Sequence, residues 1–181
     1  MRELDISGFK ESIIERSDYP IEECKKILKD EVTAILGYGP QGRGQSLNMR
    51  DQGFDVIIGL RKGNSWDKAI LDGWEEGKTL FPINEAVEKA TIIQFLLSDA
   101  GQIQAWPEVK SRLKEGDALY FSHGFGVVFH QDTQIVPPDN IDVILVAPKG
   151  SGLTVRNHFK EGRGINASFA IHQDFTKKAK K

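Results

Sequence analysis

The stretch that most limits what this chain can become is Val32 to Leu36, an apolar and β-branched run, followed at once by Gly37-Tyr38-Gly39-Pro40-Gln41-Gly42. Residues 41 to 52 can continue as a helix, so the order is strand, tight turn, helix N-terminus. In that order a GxGxxG turn is the phosphate-binding corner of a dinucleotide fold. The first glycine permits the turn, the second lets backbone approach a pyrophosphate, and the third lets helix pack on strand. Unpaired N–H groups at the helix start then face the anion. Pro40 costs little there, because the donor it lacks would have no partner inside the helix. The motif alone is weak evidence; the strand before it, the helix after it and a second buried strand at Asp55 to Gly59 give it weight.

Length and charge fit one such domain. A chain of 181 residues buries roughly 70% of its unfolded surface, enough for one well-developed core. A formal charge of -2 argues against general nucleic-acid binding and against a basic membrane patch. The single cysteine, Cys24, excludes an internal disulfide framework and fits a reducing compartment. No apolar run reaches the roughly 18 residues of a membrane span. Glu3, Asp5 and Glu11 do not resemble the start of a secretory signal. The expected setting is cytoplasmic, with no nucleic-acid or membrane partner.

The alternation of elements predicts an α/β fold: a Rossmann-like, doubly wound, mostly parallel sheet with helices on both faces. Residues 1–30 form a short helical extension, 31–174 the nucleotide-binding domain and 175–181 a basic tail, expected to fray. In the extension, apolar positions 21, 24, 27 and 28 have helical spacing, with Asp18 placed as cap and Pro20 near the first turn. Cys24 then reads as a packed small residue, with no catalytic partner nearby in sequence.

After the second strand come Leu60-Arg61-Lys62-Gly63-Asn64-Ser65-Trp66. Folds built for NAD usually place an acidic side chain here to accept from the ribose 2′-hydroxyl. Arg61 offers a guanidinium instead, with Lys62 and Ser65 close behind, so the sequence leans toward the 2′-phosphate of NADP. The competing reading is a solvated basic turn. Trp66 through Trp74 reads as a helix, and Trp66 itself either covers adenine or packs in the core.

Further along, Thr79 to Phe81 reads as a short strand, Ile83 to Lys89 as a helix and Thr91 to Leu97 as a buried strand ending in Ser98-Asp99-Ala100-Gly101-Gln102. Asp99 is expected to cap a helix over Gln102 to Leu113, and the loop backbone to lie against a cofactor. The strand Ala118 to Phe121 delivers Ser122-His123-Gly124-Phe125-Gly126 to the same edge, where an imidazole can donate, accept or change charge. A sixth strand, Val143 to Ala147, leads to Pro148-Lys149-Gly150-Ser151-Gly152, then a helix over Thr154 to Glu161 and a strand over Ala167 to Ile171. Lys149 is either a surface charge or a group that holds an anionic substrate or orients the nicotinamide amide. The histidines form no short metal-binding cluster and neither CxxC nor HExxH occurs, so no metal ligand is expected from this chain.

Over nearly its whole length the sequence resembles ketol-acid reductoisomerase, also called acetohydroxy-acid isomeroreductase. The matching stretches are GYGPQG at 37–42, NMRDQGFDVIIGLRKG at 48–63, SHGFGVVF at 122–129, VILVAPKGSGLTVRNHFKEGRG at 143–164 and SFAIHQD at 168–174. The resemblance implies NADPH and Mg2+, and a reaction that rearranges 2-acetolactate or 2-aceto-2-hydroxybutyrate by alkyl migration and then reduces it to a 2,3-dihydroxy acid in valine and isoleucine synthesis. It also implies roles. Tyr38 to Gln41 resemble the pyrophosphate loop, Arg61 and Ser65 the 2′-phosphate contacts, Asp99 to Gln102 a cofactor loop, His123 the active-site histidine and Gly152 a cofactor-contacting glycine.

The departures are as informative. Where the family commonly has HAHA, this chain has Arg43-Gly44-Gln45-Ser46, and Ser98-Asp99 stands where Pro-Asp is usual. Neither removes a glycine of the turn. The usual Asp-Ala-Thr-Gly junction is replaced by Asp174-Phe175-Thr176, and the helical domain that supplies the family's Mg2+ carboxylates and much of its homo-oligomer contact lies beyond this chain. The expectation is NADP(H) binding without reductoisomerase activity from these residues alone. The alternative is a non-catalytic NADP-binding sensor or interaction module derived from the same family.

Overall fold

The computed structural model describes residues 2–180, in two compact units, Met1–Asp30 and Glu31–Lys181. Met1 and Lys181, the ends of the expected extension and tail, lie outside the described residues. The first unit holds β1 (Arg2–Ile6), β2 (Phe9–Ile13) and α1 (Ile21–Ile27). The second holds β3 (Thr33–Leu36), α2 (Pro40–Asp51), β4 (Val56–Leu60), α3 (Asn64–Leu71), β5 (Leu80–Pro82), α4 (Ile83–Lys89) and β6 (Ile92–Phe95). It continues through α5 (Asp99–Lys110), β7 (Ala118–Phe121), α6 (Phe125–Val128), α7 (His130–Thr133), β8 (Asp142–Pro148), α8 (Gly152–Lys160) and β9 (Ala167–Gln173).

The first unit holds the expected helix, adds a hairpin to it and corrects one expectation. Before its helix stands an antiparallel hairpin, β1 on β2, whose turn residues both take positive φ, Ser7 at 56° and Gly8 at 88°. That backbone matches the twist of a two-residue hairpin, and the Asp5 carboxylate takes the Gly8 N–H at 2.8 Å. Asp18 does not cap α1. Pro20 occupies the N-cap without a side-chain bond, while Asp18 accepts from the Glu15 N–H at 2.8 Å.

In the second unit seven strands run in the order β5-β4-β3-β6-β7-β8-β9, all neighbours parallel except β8 and β9. The chain leaves β3 on one side to build β4 and β5, then returns to its other side to build β6, β7 and β8. That reversal opens a crevice at the carboxyl ends of β3 and β6, where such sheets take ligands. β3 and β4 are buried along their whole length, as apolar runs covered on both faces must be. One core lies on the α4 and α5 side, around Phe95, Trp106, Phe121 and Ile93. The other includes Ile35, Ile58, Trp66 and Tyr38. Trp66 is therefore a core residue, not an adenine cover. At the end of the chain Thr176 donates from its N–H (2.9 Å) and hydroxyl (2.5 Å) to the Asp142 carboxylate, so the tail begins tied down rather than frayed. Among the described residues no helix is long and apolar enough to cross a membrane.

Candidate functional site: a crevice at the carboxyl edge of the sheet

The glycine corner is assembled as its spacing requires. Gly37 has φ +106°, and an added Cβ would stand 2.8 Å from the Leu96 carbonyl oxygen at the end of β6. A Cβ on Gly42 would overlap the Gly37 carbonyl, so that glycine lets α2 pack against its own strand. Around Gly39 there is nothing within 4 Å of an added Cβ, and that open space beside the start of α2 suits a pyrophosphate. Pro40 is the first helical residue.

The Tyr38 side chain is buried and its hydroxyl is engaged away from the glycine corner. Its hydroxyl donates to Asp72 Oδ2 at 2.9 Å and accepts from Trp74 Nε1 at 2.7 Å, and burial together with the Asp72 carboxylate raises its pKa above the ordinary tyrosine value. Gln41 turns the other way: its Nε2 donates to the Gly150 carbonyl at 2.9 Å. Gln45, one turn on, donates to Gln41 Oε1 at 3.0 Å and to Ser122 Oγ at 3.1 Å, while Tyr120 donates from its hydroxyl to Gln45 Oε1 at 3.0 Å. Helix α2 is thus bonded to the ends of β7 and β8.

On the β4 side a hollow of about 280 Å3 is bounded by Gly37, Leu60, Arg61, Ser65 and Leu97. Arg61 is exposed and donates from Nη1 to Gln104 Oε1 at 2.7 Å. Lys62 reaches Glu76 Oε1 at 2.6 Å, with its ammonium 3.8 Å from the centre of the Trp66 ring. Ser65 lies exposed in the first turn of α3. A second hollow, between α2 and α8, is lined by Arg43 and Arg156, but those cations are already paired, with Asp72 and with Asp51.

The 99–102 stretch is rearranged relative to expectation. It is the first turn of α5, not a loop before it, and Ser98 is the cap, its Oγ accepting from the Gly101 N–H at 3.3 Å. Asp99, relieved of capping, approaches His123, with Oδ1 3.4 Å from Nε2 and both side chains half exposed. Ala100 is exposed. Gln102 is 1% exposed and its Nε2 donates to the carbonyls of Phe95 and Leu97 at 3.1 and 3.0 Å, so its side chain anchors the end of β6 and does not face the crevice. His123 lies two residues beyond β7, and Lys149 stands exposed just beyond β8 with its backbone N–H donating to the Asn166 carbonyl.

Gly152 begins α8 and is pressed against α2: a Cβ there would overlap the Pro40 carbonyl, and one on Gly44 would overlap the Gly152 carbonyl. The glycine at 44, where the resemblance leads one to expect alanine, is thus what this helix crossing demands. Neither Asp72 nor Gln104 was singled out in the sequence, and Gln45 stood there only as part of a departure from the family pattern. Each acts through a partner distant along the chain, which leaves no local pattern.

Residues 27–181 match the family model described as acetohydroxy acid isomeroreductase, NADPH-binding domain. The chain belongs to the acetohydroxy acid isomeroreductase family. Its relatives are named ketol-acid reductoisomerases. One from Schizosaccharomyces pombe is 58% identical over 99% of this chain and 45% of its own length. Another from Desulfosudis oleivorans, named ketol-acid reductoisomerase (NAD(+)), is 55% identical over 99% of this chain and 51% of its own. The solved structure of an NADH-preferring ketol-acid reductoisomerase from an uncultured archaeon matches with TM-score 0.78 and 39% identity, over 86% of this chain and 47% of that one. The chain spans about half the length of the curated relatives it matches. The cytoplasmic expectation is overturned: the S. pombe reductoisomerase is named mitochondrial, as are two other fungal family members. A single cysteine excludes an internal disulfide and does not distinguish one compartment from another.

Proposed function

We propose that this chain is the NADPH-binding part of a ketol-acid reductoisomerase that converts 2-acetolactate or 2-aceto-2-hydroxybutyrate to 2,3-dihydroxy acids in branched-chain amino-acid synthesis. The observation that carries this reading is the crevice at the β3/β6 reversal, with Arg61 and Ser65 at one end and His123 at the edge formed by β7. Gly37, Gly39 and Gly42 leave room for the pyrophosphate, with N–H groups of α2 facing it. Arg61 and Ser65 take the 2′-phosphate. The backbone of Asp99 to Gly101 borders the cofactor, and Gly152 brings α8 alongside. Bound NADPH supplies a hydride to the reaction; His123 and Lys149 are the polar groups placed to orient substrate or move a proton near it.

Among the described residues no group of three or more His, Cys, Asp or Glu converges, so this chain's side chains do not fit the magnesium centre of the family's rearrangement. We place the ligands, the rest of the substrate pocket and most homo-oligomer contacts in the further length that the relatives carry. We place the protein in the mitochondrial compartment for which its fungal relatives are named.

Titration of the purified chain with both cofactors tests the nucleotide reading. A charge-assisted phosphate contact is worth roughly 1.5–3 kcal/mol, so NADPH should bind about ten- to hundredfold more tightly than NADH. Equal affinities, or tighter NADH, would overturn the 2′-phosphate assignment. NADPH oxidation with 2-acetolactate and Mg2+ should be absent for the chain alone; robust turnover would show that no complementing part is needed.

A further inference from the structure

Arg61 and Lys62 are adjacent cations at one end of the crevice, yet they are held in opposite ways. Lys62 lies against a carboxylate, Glu76, with Nζ 2.6 Å from Oε1. Arg61 lies against a neutral amide: its Nη1 donates to Gln104 Oε1 at 2.7 Å. Arg61 follows β4, and Gln104 is on the helix that follows β6. Those strands are the two neighbours of β3, so the bond joins elements on either side of the strand that ends in the glycine corner. A guanidinium tethered through one N–H to an uncharged acceptor keeps its full charge and its other donors, and loses much of the rotamer freedom a free arginine would give up on binding.

We infer that Gln104 is a positioning residue for the cofactor: it holds the Arg61 guanidinium at the crevice mouth, uncompensated, for the 2′-phosphate of an adenine dinucleotide. The inference rests on the NADPH-binding reading above and names the residue that sets its specificity from outside the 61–65 turn. A carboxylate at 104 would reach the same guanidinium and neutralise it. A methyl group would leave the arginine charged but unplaced.

The test is a binding cycle on the purified chain with NADPH, NADH and 2′,5′-ADP, using wild type, Gln104→Ala, Gln104→Glu, Arg61→Ala and the Arg61→Ala/Gln104→Ala double variant, with thermal melts as a check on folding. Gln104 is exposed, so melting temperatures should stay near wild type. Gln104→Ala should weaken NADPH and 2′,5′-ADP by about three- to tenfold, the range of one net hydrogen bond, and NADH less. Gln104→Glu should reduce the NADPH-to-NADH preference further than alanine does. In the Arg61→Ala background Gln104→Ala should add nothing. Unchanged NADPH binding in Gln104→Ala, an equal loss for NADH, or the same loss with and without Arg61 would overturn the inference while leaving the nucleotide reading intact. A wild-type chain that binds none of the three ligands would overturn both.

Discussion

Asp72 receives Arg43 along one edge of the guanidinium, Nε to Oδ2 at 2.6 Å and Nη2 to Oδ1 at 2.7 Å. The same carboxylate accepts the Tyr38 hydroxyl, which Trp74 also reaches. Arg50 donates to the Asp72 carbonyl at 2.9 Å and lies over the Trp74 ring. Arg43 sits in the first turns of the helix that leaves the glycine corner, and Tyr38 sits inside the corner. One acidic residue after α3 therefore braces the glycine corner from behind while the corner's backbone faces the crevice.

Hydrogen bonding from Arg43 holds the Asp72 carboxyl below its ordinary range. The brace therefore contributes fully above the unfolded carboxyl value of about 3.9, and its contribution is lost as pH falls through the lower folded value. Asp72→Asn should cost about 1–3 kcal/mol at neutral pH and flatten the loss of stability as pH falls below about 4. Thermal melts of both proteins across that range check it; parallel curves would reject the brace as a pH-sensitive element.

Gly152→Ala puts a methyl group into the Pro40 carbonyl, backbone against backbone, where no side chain can swing aside. Overpacking of this kind costs about 1–3 kcal/mol or more, and α2 must shift, so both melting temperature and NADPH affinity should fall. Gly53→Ala, with nothing within 4 Å of the added Cβ but φ at +82°, provides a contrast: it should lower stability through backbone strain and leave NADPH affinity near wild type.

Glu76→Gln removes the counter-ion of Lys62. Both side chains are more than half exposed, so the effect belongs to the weak range of surface pairs, about 0.2–1 kcal/mol. NADPH affinity should rise about two- to fivefold at low salt, NADH affinity should not, and the gain should shrink as ionic strength increases. Titrations at two salt concentrations read this directly.

His123→Ala, made in the complete enzyme, should lower turnover at least about tenfold while NADPH affinity and melting temperature stay near wild type, because an interaction made mainly in the transition state appears in the rate. Parallel loss of all three would mark His123 as a scaffold residue of its loop.

The strand–turn–helix corner, the succession of buried strands and the family were all legible in the sequence, because each rests on local rules: apolar runs for covered strands, glycine sterics for the turn, motif spacing for the resemblance. Val32 to Leu36 is β3 within one residue at its start, and the helix expected from Gln41 begins at Pro40. What only the tertiary structure decided is where individual side chains went. Ser98 reached the free N–H of α5 first, which left Asp99 to His123. Gln102 turned into the core. Tyr38 found Asp72 34 residues away and Gln41 found Gly150 109 residues away. The edge strand β9 settled antiparallel on β8, a choice its own short run of residues does not encode. A cap, a buried amide or a long-range hydrogen bond goes to whichever partner the folded backbone brings within about 3 Å, and that competition takes place in space, where sequence periodicity carries no record of it.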